Sequence, residues 1–141
     1  MYSNQSLRSR FTEDGLTTAS GPKIVVMCFD RLDRDLGGAL EALAARDVDR
    51  SHELLCHAQD LVHELLCMLD LEQWEHAPSL AAIYRYVMEL LTRANVAKRA
   101  AEAIEARGLL AELGDAFRQA SIGLASPPPR AEPTTQFSVR A

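Results

Sequence analysis

The sequence predicts an all-α protein, an antiparallel four-helix bundle with a flexible N-terminal arm and a disordered proline-rich C-terminal tail. Three observations predict it. Apolar residues recur three or four apart through four long stretches, the spacing of one helix face. The links between these stretches are short, which favours antiparallel neighbours. No stretch alternates apolar and polar residues as a half-buried strand does. The expected division is residues 1–19 as arm, 20–120 as bundle and 121–141 as tail.

The arm is polar and lacks a period, with Leu7, Phe11 and Leu16 as isolated apolar points. Phe11 reads either as an incidental surface aromatic or as an anchor that lays the arm on the domain. Thr18-Ala19-Ser20-Gly21-Pro22 is a helix start: Ser20 can accept from a first-turn amide, and Pro22 needs no partner there. The first helix is expected from about Gly21 to about Ala45. Its opening turns, Ile24 to Phe29, are apolar all round, so more than one face should be covered. Gly37-Gly38 lies inside it. Each glycine costs about 1 kcal/mol relative to alanine, and either close packing or a bend could explain the pair.

Arg46 to Asp49 is a short polar link. The second helix is expected from about Asp49 to Leu69, on a stripe of Leu55, Ala58, Val62, Leu65, Leu66 and Leu69. Leu54, Leu61 and Met68 widen that stripe. The segment from Leu71 to Pro78 breaks the period. Trp74 in it reads as a plug over one end of the core, with an exposed contact residue as the alternative. Pro78 suits the first turn of the third helix. There Leu80, Ile83, Tyr84, Val87, Leu91 and Ala94 form one apolar stripe, with Tyr86 at its edge. Such a tyrosine could pack on a neighbouring helix or face a partner. A link near Asn95 leads to the fourth helix, about Lys98 to Ala120, on Ala103, Ala106, Leu110, Leu113 and Phe117. From Ser121 the chain is polar, and Pro127-Pro128-Pro129 cannot continue a helix.

Composition narrows the function classes. The 141 residues suit one domain, and 48% apolar content is enough for a core. A net charge of −5 argues against a nucleic-acid or anionic-membrane surface. No apolar run approaches the roughly 20 residues of a membrane span. The N-terminus lacks an apolar signal region, so a cytoplasmic location is expected. Three cysteines, Cys28, Cys56 and Cys67, make a poor disulfide framework and read as small buried or half-buried hydrophobes.

Few side chains suggest chemistry. His52, Cys56, His63 and Cys67 share one side of the second helix, but the two pairs lie roughly 16 Å apart at about 1.5 Å per residue. One tetrahedral zinc cannot span that gap, so the four are expected to form a boundary stripe, with no metal bound. His57 is the histidine best placed for exposure and is the candidate for a phosphotransfer site. Glu53 and Asp60, one turn either side, would repel an incoming phosphoryl group. Glu41, Glu53, Glu64, Glu102 and Glu112 read as a solvated face. No glycine-rich phosphate loop or Glu-x-x-His pair is present. The protein is expected not to be an enzyme and to carry no cofactor.

The order Leu80-x-x-Ile83-Tyr84-x-Tyr86-Val87-x-x-x-Leu91-x-x-Ala94-Asn95 resembles the third helix of the flagellin export chaperones, the FliS family. Thr18-Ala19-Ser20 is similar to their helix start. Val26-Met27-Cys28-Phe29-Asp30 is similar to their Leu-Met-Leu-Tyr-Asp. Ala58-Gln59-Asp60 and Leu69-Asp70 match short motifs of their second helix. Phe11 stands seven residues before Thr18, where members often carry a tyrosine. Arg31-Leu32 departs from a common Gly-Ala pair, and the tail has no recognised counterpart.

The resemblance implies a cytoplasmic chaperone that binds the disordered C-terminal region of flagellin. It would prevent premature polymerisation and deliver flagellin to the flagellar type III export gate. It points to Phe11, Leu16, Ile24, Met27, Asp30, Tyr84, Tyr86 and Asn95 as partner-binding residues. In family members the arm lies on part of the binding surface, so Phe11 and Leu16 would cover Ile24, Met27 and the neighbourhood of Tyr86. No nucleic acid and no membrane insertion are expected, and a homodimer is left open. The alternatives are a bundle adaptor for another secretion or signalling partner, and a histidine phosphotransfer domain.

Overall fold

The computed structural model describes residues 21–72 and 74–125, except the side chains of residues 121 and 123–125. Four helices follow in order: α1 (Gly21–Ala44), α2 (Val48–Cys67), α3 (Ala77–Ala97) and α4 (Ala100–Ala125). Each packs on its neighbours in a ring, α1 on α2, α2 on α3, α3 on α4 and α4 back on α1, and among the described residues the diagonal helices approach through core side chains only, not backbone to backbone. This is the expected antiparallel four-helix bundle. Three of the helices end within about two residues of the expected bounds. α4 runs five residues past Ala120. Ser121 to Ala125 contains no proline, and the first residue that forbids the helix is Pro127. Proline also disfavours helical backbone at the residue before it, so a helix ending at Ala125 is natural.

The turns at one end of the bundle use side chains and left-handed backbone in place of glycine. Arg46 has φ 58°. Its amide reaches Leu43 O at 3.1 Å, and the Asp47 amide reaches Ala42 O at 2.8 Å. These two bonds close the end of α1 and satisfy carbonyls that the helix leaves free. Asp47 then caps α2, accepting from the Arg50 amide at 3.1 Å. Lys98, with φ 55°, plays the part of Arg46 between α3 and α4. The long link, by contrast, needs Pro78 in the first turn of α3.

The core is a continuous cluster with contributions from every helix. Leu32 and Leu36 of α1 meet Leu55, Leu61 and Leu65 of α2, Tyr84, Val87 and Leu91 of α3, and Ala103 and Ala106 of α4. The alanines let the helix axes approach. Glycine does the same for α1: a Cβ on Gly38 would stand 3.0 Å from Leu54 Cδ1 of α2, and one on Gly37 would stand 3.1 Å from the Arg107 guanidinium of α4. Close packing on both flanks, with α1 an unbroken helix, explains the glycine pair. Gly114 serves the same seam from the other side, with Phe29 Cβ 3.2 Å from where its Cβ would be.

Among the described residues two acidic side chains are buried, one of them against expectation. Glu64, read as part of a solvated face, is fully buried. Asp35 of α1 is also buried, and two donors compensate it: Arg31 Nε at 3.1 Å from its own helix and the His57 ring from α2. A carboxylate can lose water at modest cost when hydrogen-bond donors of this kind replace it. Cys67 differs from expectation as well. It is exposed, while Cys56 is half-buried and Cys28 fully buried.

Candidate functional site

The start of α3, the end of α4 and the loop between α2 and α3 leave an apolar groove at one end of the bundle. It encloses about 340 Å³ and is lined by Trp74, Leu80, Ile83, Leu113, Phe117 and Ala120, among others. The floor is anchored from beneath, because Phe117 stacks on core Phe29 with ring centroids 5.5 Å apart. The walls stand open: Trp74 is 43% exposed and Ile83 36%. Trp74 therefore lines a groove; it does not plug the core. Among the described residues its aromatic contact is an edge-to-face one with His76, ring centroids 5.6 Å apart. Ile83, read as part of the buried stripe, is at the surface because that stripe is wider than the face α3 turns inward. Leu80, Ala81, Tyr84 and Val87 already fill it.

Tyr86 lies one turn beyond Ile83 on the same α3–α4 seam and is exposed. Its hydroxyl donates to Glu105 Oε2 of α4 at 2.5 Å. That hydrogen bond is the main reason its phenol titrates above the ordinary value, with desolvation second. An apolar ring with a wet, tethered hydroxyl suits the rim of a docking groove.

A second apolar area lies on the opposite flank. Met27 is exposed and Ile24, Val25 and Val26 are half-buried, so the opening turns of α1 are not covered on every side within the described residues. Met27 is one turn before Arg31, whose bond to Asp35 places it on the side of α1 that faces α2. Asp30 points the other way. It accepts from Arg118 Nη2 of α4 at 2.6 Å, and Arg118 also holds Asp115 at 2.8 Å. Beside it, Arg107 grips Asp33 with two bonds, at 2.8 and 3.2 Å, and the first of these holds the Asp33 carboxyl below its usual range. Asp30 thus fastens α1 to α4.

The other expected partner-binding residues fall in different places. Tyr84 is 1% exposed and is a core residue, so it presents no surface to a docked segment. Its phenol is pushed well above the ordinary range, chiefly by desolvation. Asn95 stands at the far end of the bundle. It accepts from Lys98 Nζ at 2.5 Å, and its amide nitrogen lies 3.1 Å from His52 Nδ1 and 3.6 Å from Cys56 Sγ. That network ties the end of α3 to the start of α2. Phe11 and Leu16 lie outside the described residues. The site residues thus do not gather in one place: Ile24 and Met27 share one flank, Tyr86 shares the other with the groove, and Asn95 is remote.

Chemistry finds little support in the same arrangement. His57 is not the open histidine expected from the sequence, because its Nδ1 faces the buried Asp35 carboxylate. Among the described residues, no group of three or more His, Cys, Asp or Glu side chains is gathered as a metal site. No helix among them is long and apolar enough to cross a membrane.

The groove is the feature that sequence reasoning missed. Its signals were present in the surplus apolar residue Ile83 and in the Leu113/Phe117 pair near the end of α4. Only the fold brings them to Trp74.

Comparison with known proteins agrees with this architecture. The family model described as flagellar protein FliS matches residues 3–123. The flagellar secretion chaperone FliS of Bacillus subtilis (strain 168) is 25% identical over 116 residues, which cover 82% of this chain and 86% of that protein. With a four-helix bundle in place and most of its length matched, the chain belongs to the FliS family of flagellar proteins.

Proposed function

We propose that this protein is a flagellar secretion chaperone whose client is the disordered C-terminal region of flagellin. The observation that carries the reading is surplus apolar surface on a bundle whose core is already closed. The Trp74–Ile83–Phe117 groove and the Ile24–Met27 flank lie on opposite sides of one small domain. A client segment that is amphipathic but unfolded alone can lay apolar side chains on such surfaces and become helical as it binds. Met27 is an adaptable contact, since an unbranched thioether fits irregular partners. Tyr86 and Glu105 offer the rim a polar handle. While a segment is held in this way it cannot join a growing filament, and the complex can be handed to the export gate. The N-terminal arm, through Phe11 and Leu16, covers the Ile24–Met27 flank in the absence of client.

The reading is tested by flagellin polymerisation followed by light scattering. The intact chain should suppress assembly at a one-to-one ratio. Ile83→Asp and Met27→Asp should each weaken suppression while leaving the helical signal intact. Undiminished suppression by both variants would remove these surfaces from the client site. Deleting residues 1–17 should change flagellin affinity, and an unchanged affinity would end the arm's role as competitor.

A further inference from the structure

The groove beside Trp74 has a candidate occupant within this chain. We infer that the C-terminal tail folds back and seats Phe137 in it. This goes beyond the chaperone reading and rests on that reading only for its consequence, competition with the client.

The argument starts from connectivity. α4 makes one wall of the groove, whose last lining residue is Ala120, and the helix ends at Ala125. Residues 126–141 follow directly. Five helical residues carry the chain about 7.5 Å past the groove. The twelve residues from Ser126 to Phe137 can span up to about 40 Å when extended, so the return is well within reach. In the proposed return Pro127 to Pro129 would stiffen the exit and Arg130 to Gln136 would make the turn back.

Chemistry points the same way. Phe137 is the single aromatic of the tail, and Val139, two residues on, is its other large apolar side chain. The groove is lined almost entirely by apolar groups, the Trp74 and Phe117 rings among them. A phenyl ring has the bulk to fill such a slot, and aromatic neighbours add to its burial. Arg130 and Arg140 flank Phe137 in sequence, while the loop that carries Trp74 also carries exposed Asp70, Glu72 and Glu75. Glu132 offsets one of the tail's positive charges, so the complementarity is confined to the Phe137 end of the tail, where Arg140 lies nearest. The N-terminal arm is placed differently. It leads into Gly21 at the start of α1, next to the Ile24–Met27 flank and across α4 from this groove. Tethering makes even a weak contact effective, because a short linker holds its end at an effective concentration of order millimolar.

Trp74 is the single tryptophan of the chain, so it reports on the groove without labelling. The experiment measures its emission and acrylamide quenching in the intact chain, in Phe137→Ser and in Phe11→Ser. Trp74 is 43% exposed without the tail, so removing a docked ring should raise quenching about twofold and shift emission to the red. Phe11→Ser should leave both unchanged. A peptide of residues 130–141 should protect Trp74 saturably in the Phe137→Ser chain and have little effect on the unaltered one. Equal quenching in all three proteins would overturn the inference. So would an effect confined to Phe11→Ser, or one that disappears on dilution, which would identify a second copy's tail as the occupant. No flagellin enters these measurements, so their failure is separate from failure of the chaperone reading. If Phe137→Ser also binds flagellin more tightly, the tail and the client share the groove.

Discussion

Asp35 and His57 meet across the α1–α2 seam, the carboxylate buried and the imidazole only partly so. Arg31 completes the contact from the solvent side, donating to the other carboxylate oxygen. The carboxylate is the desolvated member, 4% exposed against 28% for His57 and 51% for Arg31, so removing a donor leaves a buried acceptor short of partners.

His57→Ala should therefore destabilise the bundle by about 1–3 kcal/mol, the scale found when a buried acceptor loses its partner. The double variant Asp35→Leu/His57→Leu should recover most of that loss, since two apolar groups leave no orphan. Urea unfolding monitored by circular dichroism measures both. A double variant no better than His57→Ala would mean that shape, not charge, governs the seam.

The cysteines should separate by depth. Cys28 is buried in the core, and desolvation, aided by the charge of Glu64, pushes its thiol up to about 12. In the folded protein a thiol reagent at neutral pH should label Cys67 first and Cys56 more slowly, with Cys28 reached only on unfolding. The same shift acts on stability. Between pH 9, the thiol's ordinary value, and about 12, the unfolded chain has released the Cys28 proton and the folded chain has not. Folding stability should fall as pH rises through that window. Tyr84, also raised by burial, adds to the decline above pH 10. Cys28→Ala should flatten the early part of the curve, and chemical unfolding at stepped pH would show it.

Gly108 and Gly114 sit less than two turns apart on α4 in opposite circumstances. A Cβ on Gly108 meets nothing within 4 Å, whereas one on Gly114 meets Phe29 Cβ at 3.2 Å. Gly108→Ala should stabilise by about 1 kcal/mol through helix propensity alone. Gly114→Ala should forfeit that gain, because the neighbour that must yield belongs to the Phe29–Phe117 stack. Paired thermal melts decide it, and equal stabilisation by both would show the α1–α4 seam to be looser than drawn.

Tyr84 and Ile83 are neighbours in sequence with opposite roles. Tyr84→Ala empties the core and should cost about 3–5 kcal/mol. Ile83→Ser removes a half-exposed side chain and should change stability by less than about 1 kcal/mol, yet weaken client binding. Unfolding curves and client titration on the same two variants separate core from surface. An Ile83→Ser chain that binds normally would exclude the groove.

What was legible in the sequence follows from how each feature is encoded. Tyr84, Val87, Leu91 and Ala94 repeat at helical spacing, so their burial could be read directly. So could the short links at Asp47 and Lys98. Asp35 and Glu64 could not, because an acidic residue at an inward position reads as solvent-facing until its partners from another helix are known. Ile83 was misplaced because a helix with apolar residues at four neighbouring positions cannot turn all of them inward. Trp74 lies in a loop without a period, where only the fold decides between plug and wall. Asn95, part of the best-matching motif, is explained by the His52 and Lys98 side chains that meet it at the end of the bundle.

The central claim is that apolar surfaces of this bundle capture an unfolded flagellin segment. Calorimetric titration of the full chain with the C-terminal segment of its own organism's flagellin, repeated at several temperatures, tests it most directly. The account predicts one-to-one binding with a large negative heat-capacity change and a gain of helical circular dichroism, the signature of apolar burial coupled to folding. Absence of heat at every temperature, with no change in helicity, would contradict it.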